Sequence, residues 1–309
     1  MKLQLDFNPE VSVKKIKIGD RITLLGSCFS DEIALKLKES GFHVSSNPFG
    51  TIFHPTALAN LILIENFESS ILKRDDLYFS WFSAGTIYDL EKSKLIEKLA
   101  LIQNELINSI QNSNFLFVTF GTSFAYENES YGSVVANCHK QPPVNFMKVL
   151  STVGEMRHDW EICMSKIYEL NPDIEIVFTV SPVRHIKDGI IENNRSKARL
   201  IELTNQLSEL TDAKYFPSYE LVIDVLRDYR FYKEDLIHPD NQAVEFVYSH
   251  FENIFFDDLT KEITKEIRKI RVLKTHKIRY PESVKSIEFE QNTAQKIKEF
   301  SIQYPSINW

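Results

Sequence analysis

A serine early in the chain and a histidine late in it carry the first chemical signal. Ser27 follows Arg21-Ile22-Thr23-Leu24-Leu25-Gly26, a β-branched and leucine-rich run that ends in glycine, and it precedes a helical pattern opening at Cys28-Phe29-Ser30. Far downstream stands Asp235-Leu236-Ile237-His238-Pro239. A serine hydroxyl is a weak nucleophile that needs a base within hydrogen-bond reach and donors for the oxyanion formed on attack. His238 is the best base, and the short spacing lets Asp235 lie beside it and fix its tautomer. The set reads Ser, Asp, His in chain order, and the chemistry it points to is attack on an acyl ester. Ser27 also suits a helix N-cap, where its oxygen accepts a backbone N–H. The roles are compatible, because N–H groups at a helix start serve a bound acyl oxygen as well. Asp235 likewise suits a turn before a helix that Pro239 would start.

Other polar residues compete for a place in the same site. Cys28 is a rival nucleophile, since a helix N-terminus lowers a thiol pKa; a small buried hydrophobe is its alternative role. His139 lies in Asn137-Cys138-His139-Lys140, and His185 follows an apolar run beside Arg184. Either histidine could line a pocket or be a hydrogen-bonded loop residue. Arg184 could pair with an anionic substrate group. His54, between Phe53 and Pro55, reads as structural. No His-x-x-x-His or Cys-x-x-Cys spacing occurs, so no metal site is expected. No Gly-x-Gly-x-x-Gly or P-loop occurs either, so no nucleotide cofactor is expected.

The elements that must carry these residues alternate between strand and helix. Residues 21–25 read as a buried strand and 28–40 as a helix ended by Gly41. A short strand is expected around Phe42-His43-Val44, a helix from Pro55 to Phe67, and a long amphipathic helix over 91–111 with Leu95, Leu99, Ile102, Leu106 and Ile110 on one stripe. Phe115-Leu116-Phe117-Val118-Thr119-Phe120 is the clearest buried strand, and residues 174–180 form another. Helices are expected over 151–170, 193–211, 217–228 and 240–256, with a short strand at 214–216. Residues 77–90 read as extended or loop, and 124–145 as irregular. Continuous apolar strands separated by helices predict a parallel α/β sheet covered on both faces, with polar loops after the strands where such sheets bind ligands. From 258 onward the chain is rich in Lys, Glu and Ile and reads as two helices broken at Tyr280-Pro281. The expected division is therefore a catalytic domain over 1–257 and a helical extension over 258–309.

Composition narrows the partners. The 309 residues are 43% hydrophobic and 26% charged, which is ordinary for a globular protein. A net charge of −7 argues against a nucleic-acid groove. No run of about 18 apolar residues exists, so no membrane span is expected, and Met1 to Phe7 lacks the apolar core of a secretion signal. Three cysteines without paired spacing suggest reduced thiols and a cytoplasmic setting. The bias toward Ile, Lys, Asn and Phe suggests a bacterial source.

Gly26-Ser27-Cys28-Phe29-Ser30 resembles the signature stretch from which the GSCFA family takes its name. Further matches are Asn47-Pro48-Phe49-Gly50, Phe120-Gly121-Thr122-Ser123, Asn137-Cys138-His139-Lys140, Ser181-Pro182-Val183-Arg184-His185, Tyr215 to Glu220, and Asp228 to Tyr232 ahead of Asp235 and His238. That family resembles the SGNH/GDSL hydrolases, three-layer flavodoxin-like domains that act on esters. The resemblance implies Ser27 as nucleophile, His238 as base and Asp235 as its orienting partner. It implies the Gly50 N–H as an oxyanion donor. The third block of those enzymes is Gly-x-Asn, and here Ser123 stands at the asparagine position, with Asn137 a candidate to bring an amide from the next loop. The first block differs as well, with Gly-Ser-Cys in place of Gly-Asp-Ser. The expected function is hydrolysis of a small acyl ester, such as an acetylated sugar, through an acyl-enzyme. The alternatives are an acyltransferase that uses the same intermediate, or a binding protein that keeps the fold.

Overall fold

The computed structural model describes residues 6–309, so most of the N-terminal segment read above, residues 1–5, lies outside the described residues. The chain opens with β1 (Arg21–Gly26), α1 (Cys28–Glu39), β2 (His43–Ser46) and α2 (Pro55–Leu63). A hairpin of β3 (Ile71–Arg74) and β4 (Leu77–Ser80) follows, then α3 (Lys92–Asn112) and β5 (Phe115–Phe120). Next come β6 (Phe124–Asn128), β7 (Ser133–Val135), β8 (Phe146–Leu150), α4 (Val153–Leu170), β9 (Glu175–Val180) and α5 (Ile190–Leu210). The chain continues through β10 (Lys214–Tyr215), α6 (Ser218–Glu220), α7 (Asn241–Phe255), α8 (Asp258–Thr275) and α9 (Val284–Gln303).

The central sheet has the order β10-β9-β5-β1-β2, and every pairing in it is parallel. The chain lays down β1, adds β2 on one side, then crosses to build β5, β9 and β10 on the other. This is the flavodoxin-like order, with its direction reversing between β1 and β5, and ligands bind such sheets at that crevice. All six residues of β5 are buried, which requires helices on both faces. Its side chains alternate. Leu116, Val118 and Phe120 join a core with Leu95, Leu99 and Leu106 of α3, Trp160 and Ile167 of α4 and Leu200, Leu203 and Leu207 of α5. Phe115 and Phe117 face the opposite way, toward Phe29, Ile33 and Leu37 of α1 and Val247, Phe251 and Phe255 of α7. The expected stripe on α3 is present, with Ile102 packed at its edge.

Residues 77–80, expected as extended or loop, are extended and pair with β3 as a hairpin. One stretch differs from the sequence reading: the segment expected to be irregular over 124–145 instead opens a three-stranded antiparallel sheet, running to residue 150, in the order β7-β6-β8. These strands are three to five residues long and mostly half-buried. Neither a continuous apolar run nor a clean alternation marks them, and they are held by partners distant in sequence. The helix expected over 217–228 is shorter: α6 runs into a π-helical turn at Leu221–Leu226 that stops at Arg227, whose φ is +51°. The two late helices form as expected. Ile263 and Ile267 of α8 pack with Ile307 and the half-buried Ile18. None of the described helices is long and apolar enough to cross a membrane.

Candidate active site

The turn that presents Ser27 is built from its neighbours. Gly26 has φ +126°, and a Cβ there would overlap the carbonyl oxygen of Thr119 on β5. Only glycine lets β1 press so close to its neighbour. The turn is then fixed from both sides: the Ser27 N–H donates to Thr119 O (3.1 Å), the Gly26 N–H donates to Asn47 Oδ1 (2.8 Å), and Ile52 N–H donates to Gly26 O (3.0 Å). Asn47 Nδ2 in turn donates to Asp31 Oδ1 (2.9 Å), so the first turn of α1 is tied to the same knot. Ser30 Oγ donates to Thr119 Oγ1 (2.7 Å) and lies 3.1 Å from Leu25 O, a buried structural role.

Ser27 is the N-cap of α1. Its Oγ accepts the Phe29 N–H (3.3 Å), and the residue is 1% exposed. His238 is half-exposed, and its Nδ1 lies 2.7 Å from Asp235 Oδ2. The other carboxylate oxygen accepts the N–H groups of Ile237 (2.9 Å) and His238 (3.0 Å). Those two backbone donors, with the imidazole, hold the Asp235 carboxyl down at about 2. The loop is closed by Lys233 N–H on His238 O (2.8 Å) and by pairing of Tyr232 with Pro239. Among the described residues Ser27 Oγ and His238 make no direct hydrogen bond. The two segments approach through the Glu32–Lys233 ion pair at 3.3 Å.

Arg184 and His185 stand beyond the end of β9, next to this loop. The Arg184 N–H donates to Ile237 O (3.2 Å), and its guanidinium lies over the rings of Tyr229 (5.3 Å) and Tyr232 (5.1 Å). His185 packs edge-on to Phe53, and its buried Nε2 has no partner. Burial, with the charge of Lys197 and then His238 nearby, pushes the His185 imidazole down to about 4. Cys28 is half-buried at the start of α1, and burial together with the Asp31 carboxylate pushes its thiol up. A thiol held neutral is a poor nucleophile.

The remaining expected residues lie in other bonding arrangements. Gly50 (φ +81°) closes a turn by donating its N–H to Asn47 O (2.7 Å). Ser123 is fully buried, its Oγ donates to Ser196 O (3.2 Å), and its N–H donates to Ser196 Oγ (2.8 Å). Asn137 is exposed and caps its own turn by accepting the His139 N–H (2.7 Å). His139 belongs with the β3–β4 hairpin: its Nε2 contacts Ser80 O (2.7 Å) and its ring lies against Phe79. His54 is buried with Nε2 at 3.1 Å from Ser151 Oγ, in keeping with a structural role.

The sequence reading passed over Lys197. It is 1% exposed, and its Nζ donates to Gly121 O (2.6 Å) and Ser181 O (2.7 Å), the first residues beyond β5 and β9. The available signal was positional. On α5 the buried positions are Asn193, Ser196, Lys197, Leu200, Leu203, Thr204 and Leu207, so a lysine occupies the apolar stripe. No group of histidine, cysteine or acidic side chains among the described residues could hold a metal ion.

Fold and site together describe a flavodoxin-like α/β domain with a serine and an Asp–His couple beyond the carboxyl ends of its strands. The chain belongs to the GSCFA family, whose model matches residues 21–251. No curated protein matches the sequence. Among solved structures it is similar to a carbohydrate esterase family 3 from Talaromyces cellulolyticus (7% identity, TM-score 0.38, covering 81% of this chain and 99% of that one). It is also similar to a protein described as a GDSL-like lipase from Parabacteroides merdae (12%, TM-score 0.40, 83% and 99%) and to a Clostridium thermocellum family 3 carbohydrate esterase (9%, TM-score 0.35, 81% and 98%).

Proposed function

We propose that the protein is an acyl-ester hydrolase in which Ser27 is the nucleophile, His238 the general base and Asp235 the residue that orients it. The observation that carries the reading is the 2.7 Å Asp235–His238 pair. With Nδ1 held by a carboxylate, the imidazole keeps Nε2 free to take and return a proton. Ser27 Oγ attacks the acyl carbon, His238 takes the hydroxyl proton, and the carbonyl oxygen becomes an oxyanion near the first N–H groups of α1. Collapse expels the alcohol, which receives the proton from His238. Water activated by the same histidine then frees the acid and regenerates Ser27.

In the resting arrangement Ser27 Oγ is occupied as an N-cap acceptor. Catalytic hydrogen bonds are often long in a free enzyme and shorten when substrate binds. Catalysis would require Ser27 Oγ to leave the Phe29 N–H and meet His238 when substrate binds, with the first α1 amides left to serve the oxyanion. The expected substrate is a small acyl ester, such as an acetylated sugar, with Arg184 available to an anionic group on it. A sugar hydroxyl in place of water would make the reaction an acyl transfer. The burial of Ser27 favours a second reading, a binding protein that keeps the fold.

Turnover of p-nitrophenyl acetate by wild type and Ser27→Ala tests the proposal. The variant should lose about 10³-fold or more in kcat, and a fluorophosphonate probe should label Ser27 in wild type alone. Equal turnover by both proteins would remove Ser27 from the mechanism. No turnover by either, with no labelling, would favour the binding reading.

A further inference from the structure

Lys197 is the only lysine, arginine, aspartate or glutamate that is buried among the described residues. Burying an ammonium is costly unless hydrogen bonds replace its water. Its two carbonyl acceptors meet that need, but bonds to two carbonyls could also have come from a neutral amide, if weaker ones. The charge is therefore more than packing requires. Its location is specific: β5 and β9 are paired up to Phe120 and Val180, and Lys197 bridges the next residue of each, where the strands end and the polar loops begin. Ser27 is bonded to the same strand end, its N–H donating to Thr119 O (3.1 Å) two residues before Gly121, and Lys197 is close enough to Cys28 and His185 for its charge to bear on both, with burial the larger influence on each. The Ser123 hydroxyl, at the position of the expected oxyanion side chain, is spent on Ser196.

We propose that Lys197 is a positioning residue of the Ser27 site: its ammonium ties together the loops after β5 and β9 and sets a positive field at the start of α1, where the acyl oxygen takes on negative charge. The proposal rests on the Ser27 reading above. Lys197 is bonded to the carbonyls of Gly121 and Ser181, and the titratable groups within reach of its charge are Cys28 from α1 and His185 from the loop after β9. Cys28 is pushed up by burial and His185 is down at about 4, so both are neutral near pH 7. Burial pushes the Lys197 ammonium itself down to about 7. Its charge is present below that pH and lost above it, so the rate should decline on the alkaline side of neutrality.

The test compares wild type with Lys197→Gln, which keeps donors for the carbonyls and drops the charge, and with Lys197→Arg, which keeps the charge at every pH. Two measurements are made. The first is kcat and KM for p-nitrophenyl acetate between pH 6 and 9. The second is the rate of Cys28 alkylation by iodoacetamide, followed on the Cys28 peptide by mass spectrometry. At pH 6.5 Lys197→Gln should lose about 10-fold or more in kcat with KM within about 3-fold. Cys28 should alkylate several-fold more slowly in it than in wild type, since a nearby cation favours the thiolate. Lys197→Arg should keep its rate above pH 7, where wild type declines. An unchanged Cys28 rate in folded Lys197→Gln, or a wild-type decline in Lys197→Arg, overturns the proposal. If no form turns over the ester, the Ser27 reading fails, and the Cys28 rates still decide whether the field of Lys197 reaches α1. If Lys197→Gln does not fold, Lys197→Arg must alkylate Cys28 faster than wild type at pH 8, where Lys197 is neutral, and equal rates overturn the proposal.

Discussion

Asp235 is the residue whose environment is most fully defined at the site. One carboxylate oxygen takes two backbone N–H groups and the other takes the imidazole. With its carboxyl down at about 2, Asp235 stays ionised at every pH where the fold is of interest. The pH profile of kcat/KM should therefore show no inflection near pH 4 from Asp235. Asp235→Asn keeps the shape of the side chain but no longer stabilises the imidazolium or fixes the same tautomer. The expected loss in kcat is about 10²–10⁴-fold, measured with p-nitrophenyl acetate. A loss below about 3-fold would leave Asp235 as a turn former only.

At the scale of elements, the β1–α1 turn depends on a single missing side chain. The Cβ of an alanine at position 26 would meet the backbone of Thr119, which cannot move without disturbing the β1–β5 ladder. The φ of +126° is unfavourable for an L-residue besides. Gly26→Ala should destabilise the protein by about 2–4 kcal/mol, read as a lower denaturant midpoint, and should reduce activity with it. An unchanged midpoint would mean that β1 can retreat from β5. The apolar run before Gly26 and the helical pattern after Ser27 were legible because both elements bury continuous faces. The small strands β3, β4, β6, β7 and β8 were less so. Each is short, and what holds it is pairing with another short strand rather than its own pattern.

Across the whole molecule, two cores sandwich one sheet, and the late helices are joined to one of them. Ile267 of α8 is completely buried and packs over Gly41, where a Cβ would collide with it. Arg268 from the same helix reaches Glu252 of α7 (2.6 Å) and Ser40 (2.9 Å). Ile267→Ala should therefore cost about 2–5 kcal/mol in one cooperative unfolding transition. A separate low-temperature transition in calorimetry, with the main one unmoved, would instead show residues 258–309 to be an independent unit.

The sequence by itself determined the alternating strand–helix plan, the fully buried β5, the stripe on α3, and the short spacing that lets Asp235 lie beside His238. Those features are written in local periodicity, turn chemistry and close spacing, so they need no knowledge of distant partners. Only the tertiary structure decided which polar groups are already spent. It gives the Ser123 hydroxyl to Ser196, 73 residues away in sequence. It also brings the amine of Lys197 to two carbonyls, one of them 76 residues away in sequence. Hydrogen bonds between strand ends depend on which strands become neighbours, and that follows from long-range packing of the sheet rather than from any one segment.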